Sequence, residues 1–572
     1  MEQSNEIYFG GMAVLKNKQS FSAQKRNEML EEMANRELDV LIVGGGITGT
    51  GIALDFASRG FNAGLIEKSD FGSGTSSKSG KLIHGGLKYL KTGDLGLVRE
   101  VGNERAIVHK NARHLVIPVK MLFPIVKNGS FNKVTLKLGL STYDKLAGVQ
   151  KHERHVMLSK KEVFQQEPLF SKEQVSGGGM YIEYRTDDSR LTLEVAKTAF
   201  EHGARLCNYT QMTDFIMNDK GKVIGVIAKD LISQRTFEIY AKYVINAGGP
   251  WVDTVRRIEG EIKGKRLHLT KGIHIVVPFH KFPVNESIYY DVEGRMIAVV
   301  PRDGCTYIGS TETDYHGDLD NVHVEQSEVD YLLDCVNGMF PDVNLKQKDI
   351  TSCWAGLRPL IYEEGKPPAE MSRKDEIFES ESGLITIAGG KLTGYRKMAE
   401  RVVEYVLNKG EFAKVSSMTQ AIKLSGGKFK SHEEVEALVD NIENEFQLLN
   451  IPTSFAAEFV YRYGTNTWLL IDIVKEFLAS EEYKNNGIKE ILAAAEACYA
   501  IDQEMAMRLT DFFDRRTGYL LFKRESIQEI ISFVIDQFSN KLGWDEGQLF
   551  NEQTIFDKEY DKSLQFEGIE IN

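Results

Sequence analysis

Leu38-Asp39-Val40-Leu41-Ile42-Val43-Gly44-Gly45-Gly46-Ile47-Thr48-Gly49 is the stretch on which the fold turns. The unbroken apolar run Val40 to Val43 reads as a parallel strand buried on both faces. A G-x-G-x-x-G turn follows, then a helix through Ala53, Leu54, Phe56 and Ala57 that stops at Arg59-Gly60, then a second apolar strand from Ala63 to Ile66. Gly44 permits the tight turn, Gly46 lets the backbone approach a pyrophosphate, and Gly49 lets helix and strand pack closely. The helix start at Ile47 and Thr48 offers amide donors and a partial positive charge to a diphosphate. Glu67, closing the second strand, is placed to bond a ribose hydroxyl, and its charge disfavours a 2′-phosphate. Strand, helix and acid together point to an ADP-containing dinucleotide.

The rest of the chain limits what surrounds this unit. Its 572 residues allow three to four domains at about 150 residues each. A net charge of −12 argues against non-specific nucleic-acid binding, because such a surface repels phosphate backbones. The five cysteines are scattered and form no C-x-x-C pair, so neither a disulfide framework nor a cysteine zinc site is expected, and a reducing cytoplasmic compartment is. No metal site is expected either, since no H-E-x-x-H or close His/Asp/Glu cluster occurs. The first twenty residues lack an apolar core and no long apolar run follows, so no secretory leader or spanning helix is expected.

Residues 22–35 read as a short helix with Met29, Leu30 and Met33 on one face. Tyr243 to Asn246 and Leu384 to Ala388 are further strands entering glycine turns. Between them, Leu269 to Pro278 and Met296 to Gly309, the latter broken by Arg302-Asp303-Gly304, suggest an inserted antiparallel sheet. Beyond residue 412 the texture is helical, with Ser431-His432-Glu433-Glu434 reading as a capping box and Lys489 to Phe513 as an amphipathic stretch.

The segment Phe71 to Gly86 is rich in hydroxyls and glycines and suits a long extended ligand, which favours FAD over the shorter NAD. Gly389-Gly390-Lys391-Leu392-Thr393-Gly394 leads into another helix and would aim its start, with a lysine, at the negative charge of a reduced flavin. The blocks DVLIVGGGITGTGIALDFASRG, TSSKSGKLIHGGLKYL, INAGGPW, TKGIHIVVP, AGLRPL, SRKDEI and ITIAGGKLTGYRKMAE, in that order, resemble the FAD-dependent (aerobic) glycerol-3-phosphate dehydrogenases, and RLTDFFDRRTGYL resembles that family's C-terminal domain.

The resemblance implies an α/β architecture: an FAD-binding Rossmann-like domain of the glutathione-reductase/glycine-oxidase type, an inserted antiparallel-sheet cap and an α-helical C-terminal domain. The expected division is 1–37 as an extension, 38–118, 176–262 and 350–412 as the FAD domain, 119–175 and 263–349 as the cap, and 413–572 as the helical tail. FAD contacts are expected from Gly44, Gly46, Ile47, Thr48, Gly49, Glu67, Lys68, Thr75, Ser76, Ser77, Lys81, Leu82, His84, Met212, Ala247, Gly248, Gly390, Lys391, Leu392 and Thr393. Substrate contacts are expected from Lys88, Tyr89, Arg358 and Arg373; the family usually has arginine where this chain has Lys88.

Oxidising glycerol 3-phosphate to dihydroxyacetone phosphate requires a C–H placed over flavin N5, removal of the hydroxyl proton, and a grip on the phosphate. Arg358 and Arg373 suit a dianionic phosphate. His84 or His274 is the expected proton acceptor, with Arg358 and Lys391 stabilising developing charge. No second dinucleotide motif and no dithiol relay is evident, so the electrons go to a quinone or to oxygen. The resemblance favours a membrane quinone, menaquinone or ubiquinone, with the protein peripheral on the inner face of the cytoplasmic membrane; a homodimer is the expected assembly. Phe131 to Leu146, apolar residues interleaved with Lys133, Lys137 and Lys145, is either a lipid-contacting patch or a solvated cap element. The competing readings are a hydrogen-peroxide-producing glycerol-3-phosphate oxidase, an amine or amino-acid oxidase, and a flavin-dependent RNA-modifying or redox-sensing binding protein, with the net charge and the lack of a basic, aromatic-interleaved stripe weighing against RNA.

Overall fold

In the computed structural model, which describes residues 6–9, 12–15, 20–85, 95–362 and 374–567, Leu38–Val43 is an inner strand of an eight-stranded sheet. Ala63–Ile66 lies parallel on one side and the second half of Thr236–Asn246 on the other, with Arg205–Cys207 and Ile385–Ala388 extending the parallel layer. Val40, Leu41 and Ile42 are fully buried, which explains the missing polar alternation. The first half of Thr236–Asn246 pairs antiparallel with Val223–Asp230, so one strand joins the parallel layer to a meander. Helix Ile47–Ser58 packs against helices Asp188–Glu201 and Tyr395–Leu407.

Helix Arg26–Ala34 buries Met29, Leu30 and Met33 as their spacing predicts. It is more than a surface extension. Arg26 is buried, donates to the Asn208 carbonyl (2.6 Å through Nη2) and pairs with Asp230 at 2.6 Å.

A second, ten-stranded sheet forms the cap. It is antiparallel except where Ser287–Val292 runs parallel to Ile117–Val126. Arg295–Arg302 and Cys305–Gly309 form the hairpin announced by Asp303-Gly304, both of which take positive φ, +50° and +80°. Ile117–Val126, Val175–Arg185 and Ser352–Ile361 all belong to this sheet, so the chain crosses between layers near Thr186 and after Ile361 and not at residues 176 and 350. Long strands carry the crossing points past where composition changes.

The tail comprises helices Glu433–Leu448, Ser454–Tyr463, Thr467–Ala479, Ile488–Glu504, Ile527–Leu542 and Glu546–Lys562. Two expectations change here. Ser431 makes no cap: His432 occupies the cap position, and Glu434 reaches back to accept from the Lys430 amide at 2.6 Å. The stretch Lys489 to Phe513 is not one helix; it breaks at Met505, in the left-handed region, and restarts as a π-helical turn over Asp511–Arg516. Among the described residues no helix is long and apolar enough to cross a membrane.

Candidate active site

A cleft of about 1150 Å³ is walled by both sheets and by the tail. At one end lies the glycine turn. Gly44 has φ +115°, and a Cβ there would lie 2.6 Å from the Ala247 carbonyl oxygen, so only glycine lets the two strand ends approach. Gly46, Ile47 and Thr48 line the cleft, and Ile47 donates its N–H to Ser76 Oγ at 3.0 Å. Gly49 faces away from the cleft: a Cβ would come 1.9 Å from the Gly44 oxygen, so its role is helix-to-strand packing. Glu67 lines the cleft and accepts from the amides of Gly45 (2.6 Å) and Ser69 (2.8 Å); burial pushes its carboxyl above the ordinary range, and these amides oppose the shift.

Thr75, Ser76, Leu82, Met212, Ala247 and Gly248 also line the cleft, with Thr75 Oγ1 donating to the Leu357 carbonyl at 2.7 Å. Lys68 lies at its edge, 4.3 Å from the Trp251 ring and paired with Asp320. Ser77 and Lys81 do not line it. Ser77 is buried and bonds back to the Ser73 and Gly74 carbonyls. Lys81, at φ +53°, turns its ammonium inward to Asp188 (2.6 Å) and the Ser77 carbonyl (3.0 Å).

His84, His274, Arg358, Gly390, Lys391, Leu392 and Thr393 line the same cleft. Pairing of Leu267–Pro278 with Ser352–Ile361 sets Thr270 opposite Arg358 and His274 opposite Trp354. The His274 ring stacks on Trp354 with centroids 4.7 Å apart and an interplanar angle of 10°. Gly309, across the neighbouring strand, makes room for it, since a Cβ there would lie 2.0 Å from His274 Cδ2. His274 is buried and, among the described residues, its Nδ1 has no hydrogen-bond partner; burial first, then Arg358 and Lys81, push its pKa down to about 3, so the ring is neutral. Arg358 crosses over Gly272 and donates to Ser310 Oγ (2.7 Å) and the Thr311 carbonyl (3.2 Å). Gly389 and Gly390 take φ of +78° and +85° and turn the chain into Lys391 and helix Tyr395–Leu407. The backbone of His84 is fixed by Thr393, whose Oγ1 accepts from its N–H and donates to its carbonyl, each at 3.2 Å. Lys88, Tyr89 and Arg373 lie outside the described residues.

Motif reading missed the cleft's third wall. Arg508, Asp514 and Arg515 reach it from the tail, and Asp514 pairs with Lys78 of the Thr75–Lys81 segment at 2.9 Å. The signal was present as charges set among phenylalanines in Asp511-Phe512-Phe513-Asp514-Arg515-Arg516. Trp354 and Glu183 were also missed, because only strand pairing brings them to the cleft.

The donor set fits an FAD: a glycine turn with a helix start and a buried acid, and a second helix start with Lys391, within one cleft. This defines a flavin-type oxidoreductase. The FAD dependent oxidoreductase family matches residues 39–396, and the C-terminal domain of alpha-glycerophosphate oxidase matches residues 417–549. The aerobic glycerol-3-phosphate dehydrogenase of Staphylococcus saprophyticus is 45% identical over 531 residues, 92% of this chain and 94% of that protein. The Bacillus subtilis protein of the same name is 45% identical over 92% of this chain and 95% of its own. The crystal structure of the Bacillus halodurans glycerol-3-phosphate dehydrogenase complexed with FAD aligns with a TM-score of 0.82 at 39% identity, covering 95% of this chain and 99% of that one. The chain belongs to the family of FAD-dependent aerobic glycerol-3-phosphate dehydrogenases.

Proposed function

We propose that this protein binds FAD in the cleft and oxidises sn-glycerol 3-phosphate to dihydroxyacetone phosphate, passing the electrons to a membrane quinone. The observation that carries this reading is that one cleft is lined both by the dinucleotide turn, Gly44 to Glu67, and by His84, His274, Arg358 and Lys391. When bound, FAD supplies the two-electron acceptor for the substrate's C2 hydride.

The chain's own residues do the rest. Arg358, tethered by Ser310 and Thr311, presents a fixed guanidinium to an anionic substrate. Lys391 lines the same cleft and adds positive charge to it. His274, a neutral ring whose plane is fixed by its stack on Trp354, lines the cleft as one of two candidate acceptors of the hydroxyl proton. Burial is the larger cause of this histidine's low basicity, and an anionic substrate in the cleft offsets only the smaller part that comes from Arg358 and Lys81. His84 is the second acceptor the sequence allows. The phosphate grip is assigned to Arg358 with Lys88, Tyr89 and Arg373, the last three on the family resemblance.

The Lys133–Leu146 helix supports contact with a bilayer that holds the quinone. Val134 and Leu138 are 76% and 67% exposed on its outer face, beside exposed Lys133, Lys137 and Lys145. The test is anaerobic bleaching of the flavin by glycerol 3-phosphate, then reoxidation by a menaquinone analogue against air. No bleaching rejects the substrate, and faster reoxidation by air moves the reading to the oxidase. Failure to sediment with anionic liposomes at low salt rejects the membrane contact.

A further inference from the structure

The helix Lys133–Leu146 also has an inner face, and Tyr143 on it reaches toward the cleft. The phenol is 1% exposed. Gly85 donates its N–H to Tyr143 Oη at 3.1 Å, Arg105 Nη1 donates to the same oxygen at 3.0 Å, and Oη donates to Glu183 Oε1 at 2.7 Å. Glu183, a buried cleft residue, also accepts from Arg105 at 3.0 Å and from the Gly85 N–H at 3.4 Å. The ring lies so close to Gly85 that a Cβ there would come 2.4 Å from Oη. A side chain at position 85 would have to displace the Tyr143 ring.

Gly85 directly follows His84, whose N–H and carbonyl are both held by Thr393. The dipeptide His84-Gly85 is therefore gripped from two sides: by Thr393, at the start of the helix that closes the dinucleotide layer, and by Tyr143 of the cap. We propose that Tyr143 is a positioning residue, whose hydroxyl, oriented by Arg105 and Glu183, fixes the backbone at Gly85 and thereby the placement of His84 in the cleft. The inference rests on the reading of this cleft as the site of glycerol 3-phosphate oxidation. A phenol with three hydrogen-bond partners is a rigid stop, because rotating it away leaves a buried carboxylate and a buried guanidinium each short of a partner. Because Tyr143 belongs to the helix whose outer face carries Val134 and Leu138, the same contact ties the orientation of that helix to the cleft.

The test is Tyr143→Phe in the full-length FAD-bound protein, which keeps the ring and removes the hydroxyl. FAD content and the rate of reduction by dithionite should match the unaltered protein. The limiting rate of bleaching by glycerol 3-phosphate should fall about 10- to 100-fold, as misplacement of a reacting group does, while the half-saturating substrate concentration stays within about twofold. Amide hydrogen exchange gives a readout that needs no variant: the Gly85 amide in the unaltered protein should be as protected as the buried cap strands, and in Tyr143→Phe it should exchange faster while residues 136–140 do not. Bleaching of the variant at the unaltered rate, or fast exchange at Gly85 in the unaltered protein, overturns the inference. If the unaltered protein is not bleached by glycerol 3-phosphate, it is the functional reading that fails, and the exchange result alone then decides the role of Tyr143.

Discussion

Replacing Asp70 by asparagine tests whether the tail is built into the dinucleotide site. The Asp70 carboxylate is fully buried and accepts from Arg515 Nε (2.6 Å), Arg516 Nη1 (2.5 Å) and Nη2 (2.9 Å), and Asn208 Nδ2 (3.0 Å). Burial acts to raise its pKa, but the charges of Arg516 and Arg515 outweigh it and hold the group well below the usual carboxylate range. Asparagine keeps the shape and one acceptor and removes the charge. Arg515 retains Asp511 at 2.6 Å and Asp514 at 3.2 Å, whereas Arg516 keeps chiefly the Glu504 carbonyl at 2.8 Å. Removing one member of a buried pair costs about 3–5 kcal/mol, and the alternative partners place this case near 3. Because the folded pKa is depressed, this stabilisation is complete above the unfolded value of 3.8 and is lost as pH falls below it, so the full difference appears at neutral pH. The assay is urea unfolding at pH 7 followed by flavin release and by tryptophan fluorescence. Flavin release should move to lower urea together with the fluorescence change, since Ser69, next to Asp70, donates to Glu67. Arg516→Met on top of Asp70→Asn should recover part of the loss by removing the stranded charge. A shift below about 0.5 kcal/mol with unchanged flavin release would refute the coupling.

Gly49→Ala places a methyl 1.9 Å from the Gly44 oxygen, so the helix must move off its strand; the purified protein should lose most of its flavin absorbance, and a normal flavin content contradicts the packing role. His114 is buried, both its ring nitrogens lack a partner among the described residues, and burial, then Arg190 and Lys197, push its pKa down to about 3. The unfolded chain binds the proton and the folded one does not, so this histidine should erode stability by up to about 1.4 kcal/mol per unit as pH falls below about 6.5. Urea midpoints of His114→Gln between pH 7 and 5 should show a correspondingly shallower slope. Arg358→Lys keeps the charge but loses the planar fork held by Ser310 and Thr311; half-maximal bleaching should require about tenfold more glycerol 3-phosphate, with FAD content unchanged.

Local geometry was legible in the sequence. The strand, turn, helix and acid from Leu38 to Glu67 form within one short segment, so their spacing alone specifies them. The turn Gly389-Gly390 before Lys391 was legible for the same reason, as both glycines take positive φ. Where side chains depend on distant partners the reading stops. Lys81 lies in a hydroxyl-rich loop and reads as a ligand contact, but Asp188, far along the chain, draws its ammonium out of the cleft. The convergence of His274 with Arg358 follows from a register in which His274 meets Trp354 and Thr270 meets Arg358, and composition carries no trace of that register. Tyr143 looks like one more apolar residue of an amphipathic helix until its oxygen is seen to meet Gly85.

Charges buried in the dinucleotide layer find their partners in the tail. Arg190 of helix Asp188–Glu201 is buried and pairs with Glu504 at 2.7 Å, and Lys197, two turns further along the same face, pairs with Glu504 at 3.3 Å and bonds Tyr499 Oη at 3.2 Å. Tyr209, next to Asn208, donates to Asp511 at 2.6 Å. Every one of these partners lies beyond residue 412. Among the described residues, a flavin layer ending there would keep Arg190 and Lys197 with only Glu194 as an ion-pair partner, and Asp70 with no arginine. Uncompensated buried charges of this kind cost several kcal/mol each, a large share of what holds any domain together. The helical tail therefore completes the dinucleotide layer, and through Asp514 and Lys78 it also closes the wall of the cleft in which that layer holds its ligand.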